Sequence, residues 1–431
     1  MGRFFLTSRG SWGDINPILG LGRELKKRGH QVTVILNEYH RSCAEKLGFE
    51  FVPYASVARY HEEQNANSDI GGPGSLSHEE RLARWHDPEM RATYAALAER
   101  ADPRDSVIVA RSWTLAGRLA QERLGIPLAT VYITPAESVR LEPWLPYLGP
   151  KDPKRRWIYE RVFTPVIDRI HDPMYGPFLN AFRAELGLAP VKHIQTRWFE
   201  SPQLALGLWP DWFYPLRDHW SPGMQLPGFV FHETREDEPS PPELESFLST
   251  GEPPVLFLAG SFRSGGAEAF FATSVEVCRR LGRRGIFLSE SRKQLPASLP
   301  ESIATFPYLP LQTLLPRCAA VVHHGGIGTA ARGIQAAVPQ LIVPVFSDQP
   351  FNADRLRQLG VADSVQKHEY TADNVVPVLR RLLGDHQVRV ACQALSQRLV
   401  QRDAVAEACN ALEGLLRDTR STPPVLRRAA S

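Results

Sequence analysis

The sequence predicts an α/β protein with two domains, each built on a parallel sheet that helices cover. The chain has 431 residues, which is more than one ordinary core accommodates, so two domains of about 200 residues are expected. Short apolar strands alternate with amphipathic helical stretches in both halves, which is typical of βαβ units. A charged, proline-rich run at residues 233–242 separates the halves and predicts a linker or a nearby surface loop.

Hydrophobic periodicity places the elements of the first half. Arg3–Thr7 is a short apolar strand, and the helical stretch that follows carries Ile18, Leu21 and Leu25 on one face. The polar, glycine-rich residues 55–74 predict a mobile loop. The other strands predicted in this half are residues 31–36, 106–110, 127–133 and 203–208.

The second half repeats this alternation. Its predicted strands are residues 254–259, 285–289, 319–323 and 340–344, and a last helical stretch is predicted at 388–416. The predicted organisation is an N-terminal domain at 1–228, a linker at 229–242, a C-terminal domain at 243–400, a C-terminal helix at 401–418 and a disordered tail at 419–431.

Composition excludes several classes of function. The 50 basic and 47 acidic residues are well mixed, so nucleic acid is not an expected partner. Five widely spaced cysteines without a Cys-x-x-Cys pair favour reduced thiols in a cytoplasmic protein over a zinc site. No stretch approaches 18 uninterrupted apolar residues, and the N-terminus lacks a signal-peptide pattern, so no membrane span is expected. The sequence neither predicts nor excludes contact of the protein with a membrane surface.

The most informative motif follows a buried strand in the second half. The strand ends in His323 and His324, and a turn through Gly325 and Gly326 leads into a helix that starts near Gly328. The first turn of such a helix offers unpaired N–H groups and the positive end of the helix dipole, which suits a pyrophosphate. The alternative is a turn that serves packing alone.

A second polar motif follows the next predicted strand. Asp348 and Gln349 offer hydrogen-bond acceptors and donors for the hydroxyl groups of a sugar, although such a pair is most often found on a surface. Because ligands bind at the carboxyl ends of parallel strands, the two motifs are expected at one edge of the same sheet.

Residues 306–356, which contain both motifs, resemble the donor-binding signature of the family-1 glycosyltransferases. Residues 10–17, Gly-Ser-Trp-Gly-Asp-Ile-Asn-Pro, match the acceptor-side loop of that family. Over residues 3–415 the chain is similar to bacterial rhamnosyltransferases of rhamnolipid biosynthesis and to sterol-type glucosyltransferases; residues 198–228 and 284–289 carry much of this closer likeness. The resemblance implies the GT-B fold, in which two Rossmann-like domains face each other across an interdomain cleft.

The resemblance also implies a role for each matching residue, with a UDP- or dTDP-hexose as co-substrate and no cofactor. Tyr308 and the backbone of Leu309 lie against the nucleobase, and Asp348 and Gln349 bind the sugar. Arg332 stands where many members have a ribose-binding glutamate, which leaves ribose recognition open. The residues implied at the diphosphate are His323, His324, Gly326, Gly328, Thr329, Gly260, Ser261 and Ser11.

Asp14 is the candidate general base. Many plant members have a catalytic histidine at this position, held by an aspartate that aligns near Arg111, and this chain has neither residue. An inverting transfer must deprotonate the acceptor hydroxyl and stabilise negative charge on the leaving diphosphate. The alternative for Asp14 is a helix N-cap, because aspartate before a helix accepts backbone N–H bonds.

Metal independence and an apolar acceptor are further expectations. The sequence has no Asp-x-Asp, the carboxylate pair that metal-dependent transferases use to hold a divalent ion, so no metal is predicted. Six of nine tryptophans lie between residues 135 and 227, which indicates either ordinary packing or an aromatic acceptor pocket. These tryptophans are Trp144, Trp157, Trp198, Trp209, Trp212 and Trp220.

The sequence therefore predicts an inverting hexosyltransferase that acts on a hydroxyl of a hydroxy-fatty acid, a sterol or terpenoid, or a polyketide. Two rivals are a nucleotide-sugar epimerase of similar fold and a non-catalytic lipid-binding or partner protein. The tryptophan-rich segment argues against the first, and the intact donor motif against the second. A Rossmann oxidoreductase is weaker, since Gly20-Leu21-Gly22 lies inside a helical pattern.

Overall fold

The chain forms two compact units, and each contains one parallel sheet. The structure is a computed structural model that describes residues 1–68, 76–137, 161–162, 164–216, 220, 223–235, 238–260, 266–345 and 347–421. The first unit comprises Met1–His232 together with Asp403–Ser431, and the second comprises Glu233–Arg402.

Seven described strands form the sheet of the first unit. Each strand pairs in parallel with its neighbours, in the order β3-β2-β1-β4-β5-β6-β7. The strands are β1 (Arg3–Thr7), β2 (Gln31–Asn37), β3 (Glu50–Ala55), β4 (Ser106–Arg111), β5 (Leu128–Tyr132), β6 (Leu204–Gly207) and β7 (Met224–Gln225). Its first helices are α1 (Trp12–Lys27), α2 (Arg41–Lys46), α3 (Val57–Ser68), α4 (His78–Arg81), α5 (Asp87–Arg100), α6 (Leu115–Leu124) and α7 (Thr164–Glu185).

Six described strands form the sheet of the second unit, in the order β10-β9-β8-β11-β12-β13. The strands are β8 (Val255–Leu258), β9 (Gly285–Leu288), β10 (Ile303–Phe306), β11 (Ala320–His323), β12 (Gln340–Ile342) and β13 (Ala362–Ser364). The helices are α8 (Pro242–Leu248), α9 (Ala267–Leu281), α10 (Leu311–Leu314), α11 (Ile327–Gln335), α12 (Gln349–Gln358), α13 (Ala372–Gly384) and α14 (His386–Val400).

Both sheets reverse their strand order at one point. In the first unit the reversal lies between β1 and β4, and in the second it lies between β8 and β11. The loops that follow these adjacent strands run in opposite directions and leave a crevice at the carboxyl edge of the sheet. Open α/β sheets bind their ligands at this switch point, so each unit has a defined place for a site.

The last helix, α15 (Ala404–Ser421), packs on the first unit although it follows the second in sequence. Cys409 and Leu412 are fully buried and share a core cluster with Leu21 and Leu25 of α1. Each such leucine contributes about 1.5–3 kcal/mol when buried. The C-terminal helix is thus part of the first unit's core.

The structure corrects two predictions from the sequence. The mobile loop predicted at residues 55–74 is wrong for residues 57–68, which form α3. This helix is mostly polar, so its apolar periodicity is weak. The helical stretch predicted at 388–416 is two helices, α14 and α15, and they lie in different units. In the charged run at 233–242, predicted as a linker or a nearby surface loop, Glu233 is buried, whereas the other described residues are half-buried or exposed.

Candidate active site

A glycine-rich turn joins β11 to α11 at the switch point of the second sheet. Gly326 caps α11, and Gly325 has a φ of +93°, a left-handed conformation that favours glycine. A Cβ at Gly328 would meet no described atom within 4 Å, so the first turn of α11 presents its backbone to open space. Unpaired N–H groups and the positive dipole end at this place suit an anion.

His323 supports this turn from inside the unit. Its Nδ1 accepts the N–H of Gly325 at 3.1 Å, and its Nε2 lies 2.9 Å from Oε1 of Gln340. Burial, with a smaller effect of His324, lowers the pKa of His323 to about 3, so the ring is neutral. Because both ring nitrogens are occupied and the side chain is fully buried, the predicted direct contact of His323 with a diphosphate is corrected to a supporting role.

His324 lies between two backbone segments that meet at the switch point. A Cβ added to Gly260, after β8, would lie 2.1 Å from His324 Nδ1, and one added to Gly326 would lie 2.6 Å from Nε2. Burial lowers the pKa of His324 to about 4, and its Nδ1 has no hydrogen-bond partner among the described residues. The glycines thus leave room for an imidazole with an unsatisfied nitrogen in the crevice.

Asn352 ties the second motif to the first, a role that the sequence did not indicate. This fully buried side chain donates to the carbonyl of Gly325 at 2.9 Å and to Oδ2 of Asp348 at 2.7 Å. Gln349 is also buried, and its Oε1 accepts the N–H of Val345 at 2.8 Å. Asp348 and Gln349 therefore start α12 beside the glycine turn, as predicted for two motifs at one sheet edge.

Asp14 lies at the switch point of the first sheet, in the first turn of α1. Its Oδ2 accepts the N–H of Ser11 at 2.6 Å and the Ser11 hydroxyl at 3.1 Å. Ser11 is the N-cap of α1, so Asp14 is the third residue of the helix and not its N-cap. A Cβ on Gly10 would lie 2.2 Å from Oδ2, so the glycine is needed for this carboxylate position. Ser11, implied at the diphosphate, belongs to the first unit.

Arg111 reaches Asp14 from the end of β4. Its Nη2 lies 2.7 Å from Asp14 Oδ1 and also pairs with Glu137. Glu137 in turn accepts the hydroxyl of Ser112 at 2.8 Å. Arg111 and both carboxylates are largely buried, so the arginine balances two negative charges in a poorly solvated place. The sequence analysis named Arg111 but could not connect it to Glu137.

Comparisons with known proteins find relatives that are named as glycosyltransferases. Residues 285–415 match the family described as erythromycin biosynthesis protein CIII-like, C-terminal domain. Over 97% of its length the chain is 28% identical to 99% of the O-mycaminosyltylonolide 6-deoxyallosyltransferase of Streptomyces fradiae. It is 26% identical to the sterol 3-beta-glucosyltransferase UGT80B1 of Arabidopsis thaliana, over 97% of this chain and 68% of that protein. Over nearly its whole length the chain is similar to family-1 GT-B glycosyltransferases, and it is a glycosyltransferase.

A solved structure confirms the predicted fold of this glycosyltransferase. The crystal structure of the glycosyltransferase VinC in complex with dTDP aligns with a TM-score of 0.68 at 19% identity, over 96% of this chain and all of that one. The likeness covers both parallel sheets, so the predicted α/β fold of GT-B type is confirmed.

In this glycosyltransferase, Tyr308, which the resemblance implies at the nucleobase, packs against the guanidinium group of Arg235. The guanidinium carbon of Arg235 lies 4.6 Å from the ring centroid of Tyr308, within the range of a cation–π contact. Leu309 beside it is buried. Burial, with Glu233 nearby, raises the pKa of the Tyr308 hydroxyl, so the ring is neutral at any physiological pH. Arg235 lies within residues 229–242, which were predicted as a linker, and nothing in the sequence indicated its contact with Tyr308.

Position 332 is an arginine where many family members have a glutamate, but Glu233 supplies a carboxylate elsewhere in the second unit. Arg332 Nε lies 2.8 Å from Oε1 of Glu233, and Oε2 of Glu233 accepts the N–H of Leu311 at 2.9 Å. Both charged side chains are almost completely buried. The carboxylate of Glu233 is therefore held near Tyr308 by Arg332, which lies 99 positions away in sequence, and no local pattern could reveal this pair.

The described tryptophans favour the packing alternative. Trp198 is buried and donates to Glu122 Oε1 at 2.7 Å, and Trp209 is fully buried and donates to the carbonyl of Tyr214 at 3.0 Å. Trp220 packs edge-on against Trp209 and stacks on Tyr214. Trp144 and Trp157 lie outside the described residues, as do Ser261 and residues 422–431 of the predicted tail.

The described part of the chain contains neither a candidate metal site nor a helix that could span a membrane. No three His, Cys, Asp or Glu side chains in it come together as ligands for a metal ion. Within the same residues, no helix has the length and apolar character needed to cross a membrane. Metal independence stays a prediction.

Proposed function

We propose that this glycosyltransferase moves a hexose from a UDP- or dTDP-sugar to a hydroxyl of a lipophilic small molecule, with inversion and without a metal ion. The observation that carries the proposal is the crevice of the second unit, where Gly260 and Gly326 flank His324 at the start of α11. The helix N-terminus and the backbone N–H groups suit a diphosphate, and the open space at Gly328 admits it.

The chemistry is a single displacement. The acceptor oxygen forms a bond to the anomeric carbon as the bond from that carbon to the diphosphate oxygen breaks. Asp14 takes the proton of the acceptor hydroxyl. Its three described hydrogen bonds leave one of about four acceptor positions, on Oδ1, for that proton. The N-terminus of α11 and the neutral imidazole of His324 stabilise the charge that develops on the diphosphate.

The relatives support the classes of donor and acceptor. VinC is in complex with dTDP, which supports a nucleoside diphosphate as part of the donor. The two curated relatives are named for a tylonolide and for sterols, so a polyketide or a sterol is the acceptor class best supported. Asp348 and Gln349 are proposed to bind the hexose, and Tyr308 the base.

A substitution at the crevice tests this proposal. Gly260→Ala would place a methyl group against His324 at a residue whose φ is +48°, so it should weaken dTDP and UDP binding roughly tenfold or more in calorimetry. Gly384→Ala is the matched control, since a Cβ there meets no described atom within 4 Å. Equal nucleotide affinity in the two variants would contradict the proposed diphosphate site.

The mechanism needs two further measurements on the wild-type protein. The anomeric configuration of the product, read by NMR, should be opposite to that of the donor. Transfer should continue at the same rate in excess EDTA. Retention of configuration, or loss of activity in EDTA that magnesium restores, would contradict the corresponding part of the mechanism.

A further inference from the structure

Every described partner of Asp14 stabilises its negative charge. The N–H and the hydroxyl of Ser11 donate to one oxygen of the carboxylate, and Nη2 of Arg111 lies 2.7 Å from the other. Asp14 also lies in the first turn of α1, where the positive end of the helix dipole favours an anion. A carboxylate that is stabilised in this way is a weak base, because a proton would displace these interactions. The proposed base therefore needs a group that acts in the opposite direction.

Glu137 is such a group. Its carboxylate contacts the same nitrogen, Nη2 of Arg111, that contacts Asp14. Two oxygen atoms that contact one nitrogen lie close together, so the two carboxylates repel each other, and a neighbouring negative charge favours the protonated form of a carboxyl group. The side chains of Asp14, Arg111 and Glu137 are only 20%, 10% and 15% exposed, so salt and solvent screen this repulsion only in part.

Glu137 is held in place by contacts that do not involve Asp14. It lies in a short helical turn after β5, and its backbone N–H donates to the carbonyl of Thr134 at 3.2 Å. Its Oε2 accepts the hydroxyl of Ser112 at 2.8 Å. The N–H of Ser112 donates in turn to the carbonyl of Val131 in β5 at 2.7 Å. The end of β4 and the segment after β5 thus fix the second carboxylate before any substrate binds.

The combined charge of the three side chains shows what Glu137 contributes to proton transfer. With Asp14 ionised, two carboxylates and one guanidinium carry a net negative charge. When Asp14 takes the proton of the acceptor hydroxyl, the group becomes neutral, which a poorly solvated place favours. Without the charge of Glu137, the same step would lead from a neutral group to a positive one, and burial opposes that change.

We propose that Glu137 is a positioning residue that keeps Asp14 basic by sharing the charge of Arg111. The proton of the acceptor hydroxyl moves to Oδ1 of Asp14, and the electron pair of the broken O–H bond stays on the oxygen that attacks the anomeric carbon. Glu137 neither gives nor takes a proton. The inference rests on the proposed function, because it takes Asp14 as the base. In contrast to a catalytic histidine held directly by an aspartate, the second acid here acts through an arginine.

Two substitutions separate the charge of Glu137 from its shape. Glu137→Gln keeps the shape and removes the charge, whereas Glu137→Asp keeps the charge and shortens the side chain. Glu137→Gln should lower kcat for an alcohol acceptor roughly tenfold or more and leave the KM of the nucleotide sugar unchanged. Glu137→Asp should keep most of the wild-type kcat. Steady-state kinetics with a donor and an alcohol acceptor that the wild type turns over measures these quantities.

Two further readouts respond to the strength of the base. An acidic phenol such as para-nitrophenol needs little help from a base, so Glu137→Gln should transfer to it at nearly the wild-type rate. The acidic limb of the pH profile of kcat/KM for the alcohol should move to lower pH by roughly one unit, because Arg111 then acts on Asp14 alone and keeps it ionised. In Glu137→Asp the limb should stay in place.

Arg111→Gln predicts the reverse shift and keeps the proposal testable if Glu137→Gln does not fold. It removes the shared cation and leaves Glu137 beside Asp14, so the acidic limb should move to higher pH. A limb that stays in place or moves to lower pH in Arg111→Gln would contradict the proposal.

Glu122→Gln is the matched control. Glu122 also forms a partly buried ion pair with arginines of the first unit, and its described partners are Arg118, Arg183 and Trp198. This substitution should lower the melting temperature and leave the pH profile and the ratio of alcohol to phenol transfer unchanged. The proposal is overturned if Glu137→Gln behaves like Glu122→Gln, if it reduces alcohol and phenol transfer equally, or if Glu137→Asp loses as much turnover as Glu137→Gln.

Asp14→Asn distinguishes a failure of this inference from a failure of the proposed function. Loss of transfer in Asp14→Asn, together with wild-type kinetics and pH profile in Glu137→Gln, would reject the role of Glu137 and keep the mechanism. Normal transfer by Asp14→Asn would reject Asp14 as the base, and the role of Glu137 would fail with it.

Discussion

Three donors hold the carboxylate of Asp14, and they come from two segments of the first unit. The N–H and hydroxyl of Ser11 fix one oxygen, and Arg111 from the end of β4 fixes the other. The side chain therefore stabilises the helix start and points one oxygen at the switch point of the sheet. The alternative that Asp14 is the N-cap is wrong, since Ser11 has that position, but the contact of Asp14 with Ser11 at the helix start is compatible with the proposed role as base.

Asp14→Asn separates these two roles. The amide oxygen can still accept the Ser11 N–H, so the helix should survive, while general-base catalysis worth roughly 10²–10⁴-fold should be lost. Nucleotide affinity should stay the same, because Gly260, His324 and the start of α11 belong to the second unit. Steady-state kinetics with calorimetry for dTDP and UDP would measure both quantities.

Asp373→Asn is the control, since Asp373 also lies in the first turn of a helix, α13, and is exposed. Its turnover should match the wild type. Near-normal turnover of Asp14→Asn, or a loss of activity in proportion to unfolded protein, would leave Asp14 with a structural role alone.

Glu89 predicts a pH dependence of stability. Its pKa in the folded protein is about 7, above the ordinary value of 4.5, because burial disfavours the charged carboxylate. Between these pH values the folded protein keeps a proton that the unfolded chain has released, so the wild type loses stability as pH rises from about 4.5 to about 7.

Glu89→Gln removes this titration. Its free energy of unfolding relative to wild type should therefore be higher at pH 8 than at pH 5, by up to about 3 kcal/mol. Urea unfolding of both proteins at the two pH values measures the difference. Parallel pH profiles would show that Glu89 does not retain its proton in the folded state.

At the scale of elements, the C-terminal helix α15 is a stability element of the first unit. Leu412→Ala removes a fully buried side chain from the cluster shared with α1, so it should destabilise that unit by roughly 2–5 kcal/mol. Val400→Ala, at an exposed end of α14, should change stability by less than about 0.5 kcal/mol. Urea unfolding measures both, and equal effects would show that α15 does not contribute to the core.

Elements with a clear apolar pattern were predictable, and polar or short ones were not. The strand Arg3–Thr7 is confirmed residue for residue, because its centre, Phe4 to Leu6, is apolar and turn residues follow it. β13 has only three residues, Ala-Asp-Ser, at the edge of its sheet, and it was missed. β3 contains Glu50 and Pro53, which weaken its strand pattern.

At the scale of the molecule, both units have the same strand order over their first six strands, and their candidate residues lie at equivalent places. Asp14 comes after β1 and Arg111 ends β4, while Gly260 and His324 come after β8 and β11. The sequence located these residues because each lies next to a recognisable strand. The link between Arg111 and Glu137 could not be predicted, since it depends on which segments become neighbours in the fold.

The residues that line a polar cavity in the first unit could not be predicted from the sequence either. Its lining residues lie on separate segments between Arg9 and Glu89, and none of them belongs to a motif. The ion pair between Glu233 and Arg332 likewise connects residues 233–242, which have the composition of a linker, to the middle of α11. Long-range pairing of charged residues leaves no periodic signal, so such sites emerge only from the fold.

The split of the first unit between the two ends of the chain has a consequence for its synthesis on the ribosome. When residue 232 has been made, the face of α1 that contacts α15 has no partner, because α15 follows the second unit in the sequence. Residues 233–421 must be translated first, which takes roughly 10–40 s at about 5–20 residues per second. The second unit is continuous and can complete its fold within this interval. The nascent N-terminal half thus waits with exposed leucines until α15 has been made and can pack on α1.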